Sequence, residues 1–142
     1  MPEQLYSENY RINPIPFDAS DDRIQFYCSF LSTWKPGFTG KSAGGTHAVY
    51  SLALQGKYHL YYKERKYTVP EAHFTINRIP HPYTKAVTAG QFPLVRKSCM
   101  LYRNAFHDMI SSRLFPDAHT TLPLRNPEKV EKLMDSIHEH LG

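Results

Sequence analysis

The chain is poor in the groups that most often reveal a chemistry. Only two of its 142 residues are cysteine, Cys28 and Cys99, far apart and in no Cys-x-x-Cys pair, which argues against a disulfide framework or a structural zinc site. Between Arg23 and Asn104 the only acids are Glu64 and Glu71, both beside expected turns, so a carboxylate-driven active site has few candidates. The glycines of GKSAGG precede a strand instead of opening a helix, so they fail as a phosphate loop, and no Ser/His/Asp arrangement stands out. No apolar run approaches the ~18 residues of a membrane span, and the first twenty residues are too polar for a signal peptide. A soluble, cytoplasmic protein is expected. Charge of one sign is also lacking: 17 basic against 13 acidic residues leave +4, scattered along the chain, too mild for a nucleic-acid binder. The short cluster Lys63, Arg65 and Lys66 falls on a hairpin turn and reads as solvated.

What is abundant is aromatic and branched. Ten Tyr, eight Phe and one Trp, within 41% hydrophobic residues, call for one packed domain. Residues 1–22, with Pro2, Pro14 and Pro16, read as an arm without regular structure. Arg23 to Trp34 gives one long bent strand or two, and the glycine-rich Lys35 to Gly45 breaks regular structure. Strands follow at Thr46–Gln55, Lys57–Tyr62, Lys66–Val69, Ala72–Ile76, Tyr83–Val87 and Leu94–Tyr102, with a bend or bulge at Gly56. Short strands at this spacing, punctuated by Gly and Pro, point to a β-sandwich or barrel rather than βαβ units.

After residue 103 the period changes. Asn104 can cap a helix with Phe106, Met109, Ile110 and Leu114 on one stripe. A loop rich in Thr and Pro leads to Asn126 as N-cap and Pro127 at the first helical position. The helix from 127 to 141 then carries Val130, Leu133, Met134, Ile137 and Leu141 on one stripe, to be covered by the protein's own barrel or by the same helix of a second copy.

Eight histidines raise a metal hypothesis that their spacing does little to support. His138 and His140 point to different sides of a helix end, and His59, His73, His107 and His119 lack a sequence-near partner. His47 and His81 differ, each lying at the edge of a strand pair that a barrel would bring together. On the strand after Thr46, His47, Val49, Ser51 and Ala53 share one face and Ala48, Tyr50, Leu52 and Leu54 the other. The first set is small and partly polar and suits a cavity wall; the second is bulky and suits packing, although alternation alone also allows the reverse.

The segment THAVYSLALQGKYHLYYKERKYTV, followed by PEAHFTINRIPHPY, resembles the effector-binding domain of AraC-type transcription regulators, from His47 to Gly56 and on through Pro80, His81 and Tyr83. The resemblance runs over about residues 23 to 141 and implies a cupin-like double-stranded β-helix, a jelly-roll barrel, followed by two C-terminal helices. It implies an arm at 1–22, a barrel at 23–102 and a helical dimerisation segment at 103–142, with the family's helix-turn-helix DNA-binding domain missing from this chain. Where cupin enzymes carry a metal-binding Glu this chain has Val49, and of their histidines only His81 remains, so no metal, no cofactor and no catalytic residue is expected. In the arabinose-binding member the sugar pocket corresponds to Lys41, Tyr83, Lys97 and Cys99.

The expected function is therefore ligand sensing and dimerisation for a transcription regulator, not catalysis. A small polar effector, with sugars among the candidates, would stack on Tyr83 or Trp34 and bond His81, His47 or Ser51. The alternative is a small metal-dependent cupin enzyme, an isomerase or dioxygenase. A homodimer is expected through Val130, Leu133, Met134, Ile137 and Leu141, with DNA as a partner only through the separate domain and no membrane partner.

Overall fold

A computed structural model describes residues 6–20, 23–41, 47–62, 64–78 and 85–141. Among these described residues ten strands and two helices follow in order: β1 (Tyr6–Ile12), β2 (Phe26–Trp34), β3 (Thr39–Lys41), β4 (His47–Gln55), β5 (Lys57–Tyr62), β6 (Arg65–Val69), β7 (His73–Asn77), β8 (Lys85–Ala89), β9 (Leu94–Tyr102), α1 (Ala105–Leu114), β10 (His119–Pro123) and α2 (Pro127–His140). The strands form two antiparallel sheets, a large one ordered β1-β2-β9-β4-β7-β10 and a small one ordered β3-β8-β5-β6. The chain changes sheet at Gly56, whose φ of +78° places it in the left-handed region. A Cβ there would lie 2.7 Å from the Pro93 carbonyl oxygen, so both torsion and space require glycine.

The two sheets face each other over a core of Trp34, Ala53, Tyr58, Leu60, Val69, Ala86 and Leu94. Gly40 of β3 belongs to this packing, because its missing Cβ would stand 2.8 Å from the Trp34 ring. A second core, of Leu52, Cys99, Leu101 and Met134, lies on the opposite face of the large sheet, where α2 crosses β2 and β9. The large sheet is thus covered on both sides, each buried aliphatic side chain contributing about 1.5–3 kcal/mol.

Several elements depart from the sequence expectation. The arm contains a regular strand, β1, which pairs with β2 from Tyr6↔Trp34 to Ile12↔Cys28. The Thr/Pro-rich loop after α1 contains β10, paired with β7. The barrel therefore draws on residues outside 23–102. Of the two alternatives for Arg23 to Trp34, the structure takes the single strand, bent by a bulge between Phe26 and Cys28, which is no departure. The glycine-rich segment contributes β3 to the small sheet.

Both helices start as their caps predict: the Asn104 side chain accepts the His107 N–H at 2.7 Å, and Asn126 accepts the Lys129 N–H at 3.2 Å. The inward face of α1 is not the expected stripe, since Met109 and Leu114 are exposed while His107 and Ser111 are buried. The reason is polar: His107 is fixed by the Tyr50 hydroxyl at 2.9 Å and by Asp108 at 3.1 Å, and Asp108 is held in turn by Arg103. Burial works to raise the Asp108 carboxyl pKa, and the hydrogen bonds from Arg103 and His107 more than offset it, holding the group below its ordinary value.

Candidate functional site: the barrel interior

Strand alternation sorts the side chains of the large sheet. Ala53 and Trp34 face the small sheet, so His47, Val49 and Ser51 on β4 and Ser32 on β2 face it too. On β9 the inward positions are Leu94, Arg96, Ser98 and Met100. Ser51 Oγ and Ser98 Oγ meet at 2.8 Å on the floor, and the Tyr58 hydroxyl of the small sheet donates to Thr75 Oγ1 at 3.3 Å across the interior.

Arg96 is the notable member of this set. Its guanidinium carbon stands 4.6 Å from the Trp34 ring centre and 5.4 Å from that of Tyr58, in cation–π contact with both. Among the described residues three buried side-chain atoms have no hydrogen-bond partner: Trp34 Nε1, Thr88 Oγ1 and Arg96 Nε. Thr88 is the register partner of Tyr58, which places all three around one aromatic pair. Buried polar groups are normally satisfied, so these three orphans mark the least satisfied part of the interior.

One end of the interior is polar and aromatic. His119 is buried, its Nδ1 2.8 Å from Asn77 Oδ1 and its Nε2 3.1 Å from Thr121 Oγ1, with the Tyr67 ring 4.6 Å away. Burial pushes its pKa down to about 4, so the imidazole is neutral at neutral pH, and both ring nitrogens are engaged. His47 is stacked on Tyr27 at 4.3 Å and lies 5.0 Å from Tyr102, on which Phe17 of the arm stacks in turn. Burial lowers the His47 pKa as well.

The expected site residues separate into three groups. Trp34, His47, Val49 and Ser51 face the interior. Trp34 is only 7% exposed, however, and the Arg96 guanidinium lies over its ring, where a ligand had been expected to stack. Lys97 and Cys99 are corrected to the outer face. They alternate with Arg96 and Ser98, and Lys97 reaches Glu131 and Asp135 of α2, while Cys99 packs in the core beneath that helix. Burial raises the Cys99 thiol to about 12, with a smaller contribution from nearby Cys28, so it stays protonated. His81 and Tyr83 lie outside the described residues, as does the side chain of Lys41, whose backbone pairs with Lys85. Among the described residues no three His, Cys, Asp or Glu side chains converge as metal ligands. Sequence reasoning missed Arg96, Tyr58 and Thr88. The signal for Arg96 was present, because Arg96 and Lys97 are adjacent on one strand and one of them has to point inward.

The helix stripe is partly covered by the chain itself. Met134 and Leu141 are buried, and Val130 packs at the margin of the core under α2. Leu133 remains 60% exposed, beside an apolar groove of about 350 Å³ lined by Phe26, Tyr50, Phe74, Val130 and Ile137 among others.

Two antiparallel sheets enclosing an inward-facing site define a cupin barrel. Among solved structures the chain is similar to the Cupin_2 domain of an XRE family transcriptional regulator from Enterobacter cloacae, with 14% identity and TM-score 0.52 over 70% of this chain and 99% of that one. It is similar to the protein YhaK from Escherichia coli at 11% identity and TM-score 0.62, over 84% of this chain and 52% of that one. A Cupin 2 conserved barrel domain protein from Salinispora arenicola gives 14% identity and TM-score 0.52 over 76% and 84% of the two chains. At these identities the likeness is one of fold. No protein-family model and no curated protein matches the chain. Among the described residues no helix is long and apolar enough to cross a membrane.

Proposed function

We propose that this chain is the effector-sensing and dimerisation module of a transcription regulator of the AraC type, working in the cytoplasm and binding a small polar molecule inside its barrel. The observation that carries the reading is the Arg96–Trp34–Tyr58 constellation, with three unpartnered polar atoms at its edge. The motif resemblance from His47 to Tyr83 supports the family, and a solved neighbour that is itself the cupin domain of a regulator supports the role. Binding acts by population shift: an effector that prefers one arrangement of the arm, through Phe17 and Tyr102, or of α2 changes how two copies present their DNA-binding modules.

Thermal-shift screening against sugars and other small metabolites tests the reading. A ligand at ~100 times its dissociation constant adds about 2.7 kcal/mol of stability, whereas silence across a broad panel would favour a scaffold without effector. Stoichiometric iron, manganese or zinc in purified protein would favour the metal-dependent enzyme instead. Dimerisation is tested separately at the exposed stripe position. Leu133→Asp is expected to give a folded monomer in light scattering, and an unchanged dimer would place association elsewhere.

A further inference from the structure

The interior holds a cation with no anion beside it among the described residues. The Arg96 guanidinium has no hydrogen bond or ion pair from any described residue, only the faces of Trp34 and Tyr58. Among the described side chains the sheets supply no counter-charge: Glu64 lies in an exposed turn and Glu71 at the end of the barrel, while Glu8 of β1, the register partner of Ser32 in the row that also contains Arg96, has a side chain outside the described residues. Glu71 is exposed at the end of the barrel, where it accepts the Gly56 N–H at 3.1 Å. Arg96 is half-buried and its Nε is cut off from water, a desolvation cost that an acceptor from outside would offset.

The orphan atoms specify what completes it. Arg96 Nε and Trp34 Nε1 can only donate, and Thr88 Oγ1 can donate or accept. Two obligate donors, one of them charged, call for an acceptor that carries negative charge. A guanidinium edge pairs with a planar two-oxygen anion through parallel N–H···O bonds. Other basic groups near the sheets are engaged elsewhere: Arg78 is spent on the Phe115 and Pro116 carbonyls, Lys97 on α2, and Lys85 lies over the Tyr61 ring. Arg96 is the one fixed positive charge facing the interior among the described side chains, and a single charge matches a carboxylate better than a phosphoryl dianion. Trp34 and Tyr58 belong to the packed core between the sheets, so only a small ligand suits this place.

We propose that the barrel ligand is a short organic carboxylate, its oxygens held by Arg96 with Trp34 Nε1 and Thr88 Oγ1 as additional partners. This rests on the reading of the interior as an effector site. It replaces the neutral sugar of the sequence expectation with an anion.

Trp34 is the only tryptophan in the chain, so its fluorescence reports on this site alone. The full chain is titrated with straight-chain mono- and dicarboxylates of two to six carbons, with the carboxamide of each, and with neutral monosaccharides, while Trp34 emission and the melting temperature are followed. At least one carboxylate is expected to give a saturable change, with its amide binding at least tenfold more weakly. Arg96→Gln should weaken that carboxylate thirtyfold or more, and Arg96→Lys, which keeps the charge but loses the fork, should fall between. If Arg96→Gln fails to fold, the carboxylate–amide ratio in the wild-type chain and the Arg96→Lys variant still decide the matter. Sugars or amides binding as tightly as carboxylates, with no penalty in Arg96→Lys, would overturn the carboxylate and leave the sensor standing. No response to any member of the panel would overturn both.

Discussion

Arg96 and Lys97 are neighbours on one strand and experience opposite surroundings. Lys97 points to the outer face of the large sheet, where α2 brings Glu131 and Asp135 to its ammonium. Burial there lowers the lysine pKa, and the two hydrogen bonds more than offset it, so the net shift is upward. Arg96 points into the barrel and meets aromatic faces, with no acid beside it among the described residues. The chain closes the outer cation with its own helix and leaves the inner one open. The outer face is saturated from within, which serves stability, while the unspent donors of the inner one are those the proposed effector would engage.

The contrast can be broken first at the helix. Met134→Asp places a charge in the core that α2 shares with Leu52 and Leu101 and should cost about 4 kcal/mol or more, read as a loss of cooperative melting. Leu133→Asp, one residue earlier and exposed, should leave the melting temperature of the monomer almost unchanged; an equal loss would mean that the exposed side of α2 is also core.

The interior should reveal itself in acid. The unfolded His119 titrates near 6.5 and the folded one near 4, so the unfolded chain binds the extra proton first as pH falls. The stabilisation is complete above 6.5, declines between 6.5 and 4, and levels off below, a contribution of about 3 kcal/mol. Denaturant midpoints across that range should slope for the wild-type chain and flatten for His119→Gln.

A smaller effect is expected where the outer face meets α1. Burial raises the Tyr50 hydroxyl pKa to about 12, so it remains protonated beside His107. Tyr50→Phe removes one partner of a buried imidazole and should cost about 1–3 kcal/mol in urea unfolding. The mildest pair addresses the two cations directly. Lys97→Met should lose about 1 kcal/mol or less, because its carboxylate partners are substantially exposed. Arg96→Met in ligand-free protein should be neutral or stabilising, and a clear loss would mean that the inner cation is structural after all.

Much of the barrel was legible because its inner strands alternate and its turns carry Gly and Pro. Gly56 as the bend between β4 and β5 and the caps at Asn104 and Asn126 are local signals that tertiary packing left alone. β1 and β10 were not legible. Both are edge strands with a single neighbour, so YSENYRI and HTTLP adopt strand form because the ladder of β2 or β7 imposes it. The facing of β9 was illegible for a different reason. With a core on each side, LVRKSCMLY is apolar at both parities, and no amphipathic pattern reveals which of Arg96 and Lys97 turns inward. On β4 the difference between small and bulky faces did mark the two sides, and the small face, His47, Val49, Ser51 and Ala53, is the inward one.

The Arg11 guanidinium donates to the carbonyls of His138 and Glu139, at 3.3 and 3.4 Å, so the end of the first strand touches the last turn of the last helix. The far end of the first strand and the end of the last helix are therefore neighbours. Dyes attached near Arg11 and Glu139 would begin at near-complete energy transfer, and a swing of α2 away from the sheet would be read directly as donor light recovered.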